Sequence, residues 1–210
     1  TLCSALLSTV LPSAPICATL APMSFNQHSQ IVYLIRHATP DWADHTIPYD
    51  TPPGPALTAQ GRQEAHLLAA HMAGAGIGRL FSSEMARAQQ TADILGQRLS
   101  LPVEIDPGLI EIPRGESREA LEQRMLALWQ RRVLDAMPTQ PLALVSHGGP
   151  IEVLLRTVVY PPLDLLPFKQ RFDRQNPLPP AGAWELTRQA DDTWQATLLF
   201  HPLAVEQVRV

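Results

Sequence analysis

The chain has 210 residues, 45% of them hydrophobic, which is enough for one domain with a sizeable core. Its net charge of -4 argues against nucleic acid as a partner. Lys169 is the lone lysine among 16 basic residues, so lysine chemistry is nearly excluded while arginine forks for oxyanions are plentiful.

Residues 1–22 contain no charged side chain, hold both cysteines (Cys3 and Cys17) and include the apolar stretch Leu2 to Leu11. The expected organisation is an N-terminal extension over residues 1–30, disordered, signal-like or non-native, followed by a single domain over 31–210. Met23, eight residues before the first apolar run, is a candidate native start. Interrupted by Pro12, Pro15 and Pro22, the opening segment is a poor membrane span. A cytoplasmic location is expected, with secretion the alternative if this segment is a signal. Beyond Cys17 there is no thiol nucleophile.

The apolar run Ile31 to Ile35, closing on Arg36-His37-Ala38, reads as a buried parallel strand with an imidazole at its C-terminal end. A long Pro-rich loop, 39–56, follows. Thr58 is a good N-cap for a helix over about 59–73 carrying Ala65, Leu68, Ala69 and Met72. Ile77 to Ser82 reads as a short strand, with Ser83 capping a helix whose apolar face is Met85, Ala88, Ala92, Leu95 and Leu99. Val103 to Ile105 is a weaker strand, and a helix from near Ser117 carries Leu121, Met125, Leu128 and Trp129. Leu142 to Ser146 is a second buried strand ending at His147-Gly148-Gly149, with a helix from about 150 to 159. The proline clusters at 161–167 and 177–180 read as loops, and Ala183–Arg188 with Thr193–Phe200 as an antiparallel hairpin. Strand and helix alternate, which predicts a three-layer α/β/α sandwich: a mostly parallel sheet with a C-terminal antiparallel hairpin.

In such a sheet ligands gather at the C-terminal strand ends, so His37 and His147 are expected to meet there. A turn at Ala38 would let Arg36 and His37 address one site. Arg87 falls in the first turn of a helix, where it opposes the helix dipole unless an anion lies beside it. His147 precedes two glycines that permit close approach of a ligand. Each signal alone has an ordinary structural explanation.

Together the motifs are specific. Arg36-His37-Ala38-Thr39, Leu57-Thr58-x-x-Gly61-x-Gln63-x-Ala65, Ser82-Ser83-x-x-x-Arg87-Ala88-x-Gln90-Thr91-Ala92 and Ser146-His147-Gly148-Gly149 occur in the order seen in the histidine phosphatase superfamily, which the chain resembles over about 31–160. The resemblance implies the phosphoglycerate mutase-like fold and phosphomonoester hydrolysis through a phosphohistidine, acting on a small phosphorylated substrate without metal or other cofactor. It implies His37 as nucleophile, with Arg36, Arg87, His147 and Thr39 as the phosphate-binding set. Glu111, in Leu109-Ile110-Glu111, matches the family's signal for the general acid.

Three departures qualify this. Gly115-Glu116-Ser117 follows Glu111 without the extra segment many relatives carry, so Glu116 is a competing acid and the pocket is expected to be open and less selective. Ala38 stands where glycine is commoner, and Ala43 follows Trp42 where many relatives have asparagine. The alternatives kept open are a phosphoglycerate mutase-type phosphoryl transfer and a catalytically weak phospholigand-binding module. Cys-x5-Arg, Asp-x-Asp-x-Thr, Gly-x4-Gly-Lys and Gly-x-Ser-x-Gly motifs are all missing. His66 and His71 lack zinc-binding spacing, and Asp41, Asp44, His45 and Asp50 read as a solvated or substrate-facing loop. Oligomeric state is not legible.

Overall fold

The computed structural model describes residues 30–44, 46–172 and 176–202. The expected N-terminal extension up to residue 29, with Met23 and both cysteines, and His45 of the acidic loop lie outside the described residues.

Six strands form one sheet: β1 (Ile31–Arg36), β2 (Arg79–Ser82), β3 (Val103–Ile105), β4 (Leu142–Ser146), β5 (Ala183–Arg188) and β6 (Trp194–Phe200). Their order is β3-β2-β4-β1-β5-β6, the first four parallel and the last two added antiparallel, as the hairpin pattern predicts. β1 and β4 lie side by side at the centre, with Arg36 opposite Ser146. That register brings both histidine-bearing strand ends to the same edge. His37 N–H then donates to the Ser146 carbonyl at 3.0 Å, which extends the pairing one residue past the strand.

The central strands are apolar on both faces because helices cover both. Val32, Leu34, Leu142 and Leu144 enter one core with Leu121, Met125, Leu128 and Trp129 of α3 (Arg118–Trp129) and Ile151, Leu154 and Leu155 of α4 (Gly148–Thr157). Tyr33, Ile35, Ala143 and Val145 alternate onto the opposite core with α1 (Ala59–Met72) and α2 (Ala86–Leu99). The three expected layers are therefore present.

Local chemistry sets the element ends. The Thr58 hydroxyl accepts from Gly61 N–H and starts α1, and Ser117 does the same for α3 through Ala120 N–H. A Cβ on Gly61 would run into the Thr39 carbonyl, so this glycine lets α1 lie directly against the loop leaving β1. Ser83 is not the cap of α2. That helix starts at Ala86 with Met85 at the N-cap, and the Pro53 carbonyl of the long loop accepts from Ala86 N–H at 2.7 Å. α4 begins two residues earlier than periodicity suggests, since Pro150 sits in the first turn where no N–H is needed. The 161–167 region is not all loop, because α5 (Leu166–Arg171) starts inside it with Pro167 in its first turn. Among the described residues no helix is long and apolar enough to cross a membrane.

Candidate active site

The C-terminal edges of β1, β2 and β4 converge on a single cluster. His37 follows β1, Ser82-Ser83 closes and leaves β2, and His147 follows β4 at the N-cap of α4. Ser83 N–H donates to the Val145 carbonyl and Ala181 N–H to the His37 carbonyl, at 3.0 and 3.1 Å, so backbone pairing fixes these positions. The His37 and His147 ring centroids lie 5.0 Å apart, as the two-strand reading predicts.

The tautomer of His37 follows from its partners. Nδ1 lies 2.8 Å from the Ala38 carbonyl, which can only accept, so Nδ1 carries the proton. Nε2 is then a lone-pair acceptor, and it receives Arg87 Nε–H at 3.3 Å. Burial, and after it the charges of Arg87 and Arg36, hold this imidazole well below its ordinary value. His37 is neutral at neutral pH, with its free lone pair on Nε2.

Arg87 is fully buried in the first turn of α2. Its Nη1 donates to the Tyr49 carbonyl at 3.0 Å and its guanidinium carbon lies 4.0 Å from the centre of the Tyr49 ring, while Nη2 is buried without a hydrogen-bond partner. Arg36 leaves the end of β1 and donates from Nη1 to the Leu178 carbonyl at 2.6 Å. Its charge acts on His37, Glu111 and His147 alike.

His147 Nε2 meets the Ser83 hydroxyl at 2.9 Å, and that hydroxyl also accepts from Met85 N–H at 3.3 Å. The hydroxyl has its own proton to give to Nε2, and the Glu111 carboxyl oxygen facing Nδ1 favours the tautomer with the His147 proton on Nδ1. That nitrogen is buried without a hydrogen-bond partner and lies 3.8 Å from Glu111 Oε2. Burial and then His37 hold His147, too, well below the ordinary imidazole value. The Glu111 carboxyl is raised by burial, against the opposing pull of Ile112 N–H and of Arg87, Arg36 and Arg124.

The two candidate acids are separated plainly. Glu116 turns away to a two-pronged pair with Arg124, at 2.8 and 2.7 Å, and Arg124 also holds the Gly108 and Ile110 carbonyls. Only Glu111 stands beside His147. Thr39 is not brought into the cluster as a donor: its N–H and hydroxyl both reach Glu64 at 2.9 Å. The expected open pocket is also corrected, because His37, Arg87 and His147 have no exposed surface. The loop after β1 does the covering, through Tyr49 on Arg87 and Pro53 on the start of α2. Ser83 and Tyr49 went unrecognised as site residues in the sequence. Ser83 passed for a helix cap, and no local periodicity marks Tyr49. Among the described residues no three His, Cys, Asp or Glu side chains are grouped as a metal site requires.

The family model described as histidine phosphatase superfamily (branch 1) matches residues 32–113 and 111–174. A protein of Yersinia enterocolitica named "Probable phosphoglycerate mutase GpmB" is 31% identical over a match covering 61% of this chain and 74% of that one. For the Proteus mirabilis protein of the same name the figures are 33%, 51% and 51%. Among solved structures, the α-ribazole phosphatase of Shigella flexneri superposes with a TM-score of 0.66 at 20% identity, over 82% of this chain and 97% of that one. A mycobacterial glucosyl-3-phosphoglycerate phosphatase complexed with VO3 gives 0.62 at 20%, over 82% and 98%. At these identities the structural likeness is one of fold.

Proposed function

Because this chain belongs to the histidine phosphatase superfamily (branch 1), we propose that it hydrolyses a small phosphomonoester through a phosphohistidine on His37. The observation that carries the reading is the state of His37: a neutral imidazole, proton held on Nδ1 by the Ala38 carbonyl, with Nε2 facing the Arg87 fork. In the first step His37 Nε2 attacks phosphorus and the bond to the leaving oxygen breaks. Glu111, whose raised carboxyl favours holding a proton, gives it to that oxygen. In the second step water attacks the phosphohistidine, Glu111 takes a proton from it, and the phosphorus–nitrogen bond breaks to release phosphate.

Charge stabilisation falls to the buried cations and to the His147 Nδ1–H. Arg87 and Arg36 supply fixed positive charge beside the reacting phosphoryl group, and burial strengthens it by excluding water. Phosphoryl transfer depends mainly on such positioning and charge.

The names of the sequence relatives favour a second reading, phosphoglycerate mutase-type transfer, which shares the first step and differs in the acceptor. A panel of aryl and alkyl phosphomonoesters plus 3-phosphoglycerate tests both. Phosphate release abolished by His37→Ala supports hydrolysis, and isomerisation of 3-phosphoglycerate without release supports transfer. Phosphate binding with no His37-dependent turnover would reduce the protein to a phospholigand-binding module.

A further inference from the structure

We propose that Tyr49 is a positioning residue that decides which edge of the Arg87 guanidinium meets a phosphoryl group. The inference rests on Arg87 being a phosphate ligand, as read above, and extends to a residue outside the recurring motifs.

One residue restrains Arg87 in two ways. The Tyr49 carbonyl accepts Nη1–H at 3.0 Å, which fixes one end of the plane, and the Tyr49 ring lies 4.0 Å from the guanidinium carbon, which fixes the plane's tilt. The loop carrying Tyr49 is itself seated on the start of α2. The Pro53 carbonyl takes Ala86 N–H at 2.7 Å, and Gly54, at φ +65°, lies so near that a Cβ there would stand 2.8 Å from Arg87 Nη1 and 2.6 Å from Met85 Cε. Only a residue without a side chain lets the backbone come this close.

The covalent geometry of the guanidinium supplies the consequence. Nη1 lies on the Cδ side, so the opposite edge consists of Nε and Nη2 with parallel N–H bonds. Nε already reaches His37 Nε2 at 3.3 Å, and Nη2 is buried without a partner beside it. With Nη1 tied to Tyr49, the pair of donors presented at the nucleophile is fixed. It is the fork that two oxygens of a phosphoryl group on His37 Nε2 would take. Without the tie, the side chain of an arginine has enough rotamers to present either edge, and part of its charge stabilisation would be lost to reorganisation.

The test is a double-mutant cycle read by affinity for orthovanadate, by kcat and KM for an aryl phosphate, and by melting temperature. Tyr49→Ala removes the ring and frees the loop; it is expected to weaken orthovanadate binding and lower kcat/KM by about 3- to 30-fold, the range of a desolvated cation–ring contact. Tyr49→Phe, which keeps ring and carbonyl, is expected to restore most of that loss. In an Arg87→Met background, adding Tyr49→Ala should change neither quantity further, because the effect travels through Arg87. Gly54→Ala, which lifts the same loop from the other side, should reproduce the Tyr49→Ala loss.

Equal losses from Tyr49→Ala in both backgrounds would overturn the inference, as would undiminished orthovanadate affinity in Tyr49→Ala. If the unmodified chain binds orthovanadate but shows no His37-dependent turnover, the hydrolytic reading fails while the binding cycle still decides the role of Tyr49. Absence of orthovanadate binding in the unmodified chain overturns both.

Discussion

Glu111→Gln separates the chemistry of the site from its stability more sharply than any other single change. The substitution keeps the shape of a side chain whose Oε2 lies 3.8 Å from His147 Nδ1, and removes its proton. A positioned general acid contributes about 10²- to 10⁴-fold, or about 2.7–5.4 kcal/mol of barrier. The loss should depend on the leaving group. Alkyl phosphates, whose alkoxide leaves badly, should show the high end, and p-nitrophenyl phosphate, whose phenolate departs without a proton, the low end or less. Stability should move the other way. Burial raises the folded-state carboxyl above its unfolded value, so the group's favourable contribution is complete below that unfolded value and is lost as pH rises through the raised one. Above that raised value the ionised carboxylate is therefore a net cost. Glu111→Gln should melt higher there, each kcal/mol relieved reading as about 2–4 °C in a chain of this size, with the difference shrinking toward acid pH. Steady-state kinetics on both ester classes and melting curves across pH measure the two effects. Equal losses for aryl and alkyl esters would refute the reasoning. So would retained activity in Glu111→Gln alongside loss in Glu116→Gln, since Glu116 is paired with Arg124.

Ser83→Ala frees His147 Nε2 from its hydroxyl and loosens the tautomer, so kcat should fall by about 2- to 10-fold, the worth of one hydrogen bond, with KM less affected. Because burial and two arginines hold His37 well below the ordinary imidazole value, the acid limb of the pH–rate profile should lie below about 6.5. A limb at or above that value would contradict the electrostatics. Tyr33, buried against Glu185, is pushed up to about 12. Its phenol should stay protonated in an ultraviolet titration past the ordinary value, and the stability it contributes should be lost as pH rises through about 12.

Much of this architecture is legible in the chain because its signals are local. The unbroken apolar runs of β1 and β4 announce strands covered on both faces, and Thr58 and Ser117 announce helix starts through hydroxyls three residues from the amide they accept. The meeting of His37, Arg87 and His147 follows from the general rule for ligand sites at strand ends. What escaped has a non-local cause. Ser83 has a helix-cap pattern, yet its hydroxyl turns to His147, and the start of α2 is closed by Pro53 from a loop more than thirty residues earlier. Thr39 sits beside the motif histidine, but Glu64 of α1 takes both its donors. The missing segment after Glu111 suggested an open pocket. The cover comes instead from the loop after β1, whose prolines and glycine have no periodicity from which a contact with Arg87 could be read.

Hydrolysis by this route requires that His37 carry the phosphoryl group. Rapid acid-free quenching of the protein with a turning-over aryl phosphate, followed by peptide mass spectrometry and phosphorus NMR under alkaline conditions, tests it directly. The expected result is one phosphoryl group on His37, bonded through Nε2, acid-labile, absent in His37→Ala and longer-lived in Glu111→Gln when an aryl ester forms it. Turnover that proceeds with His37 unmodified, or a phosphoryl group found on His147 instead, would contradict it.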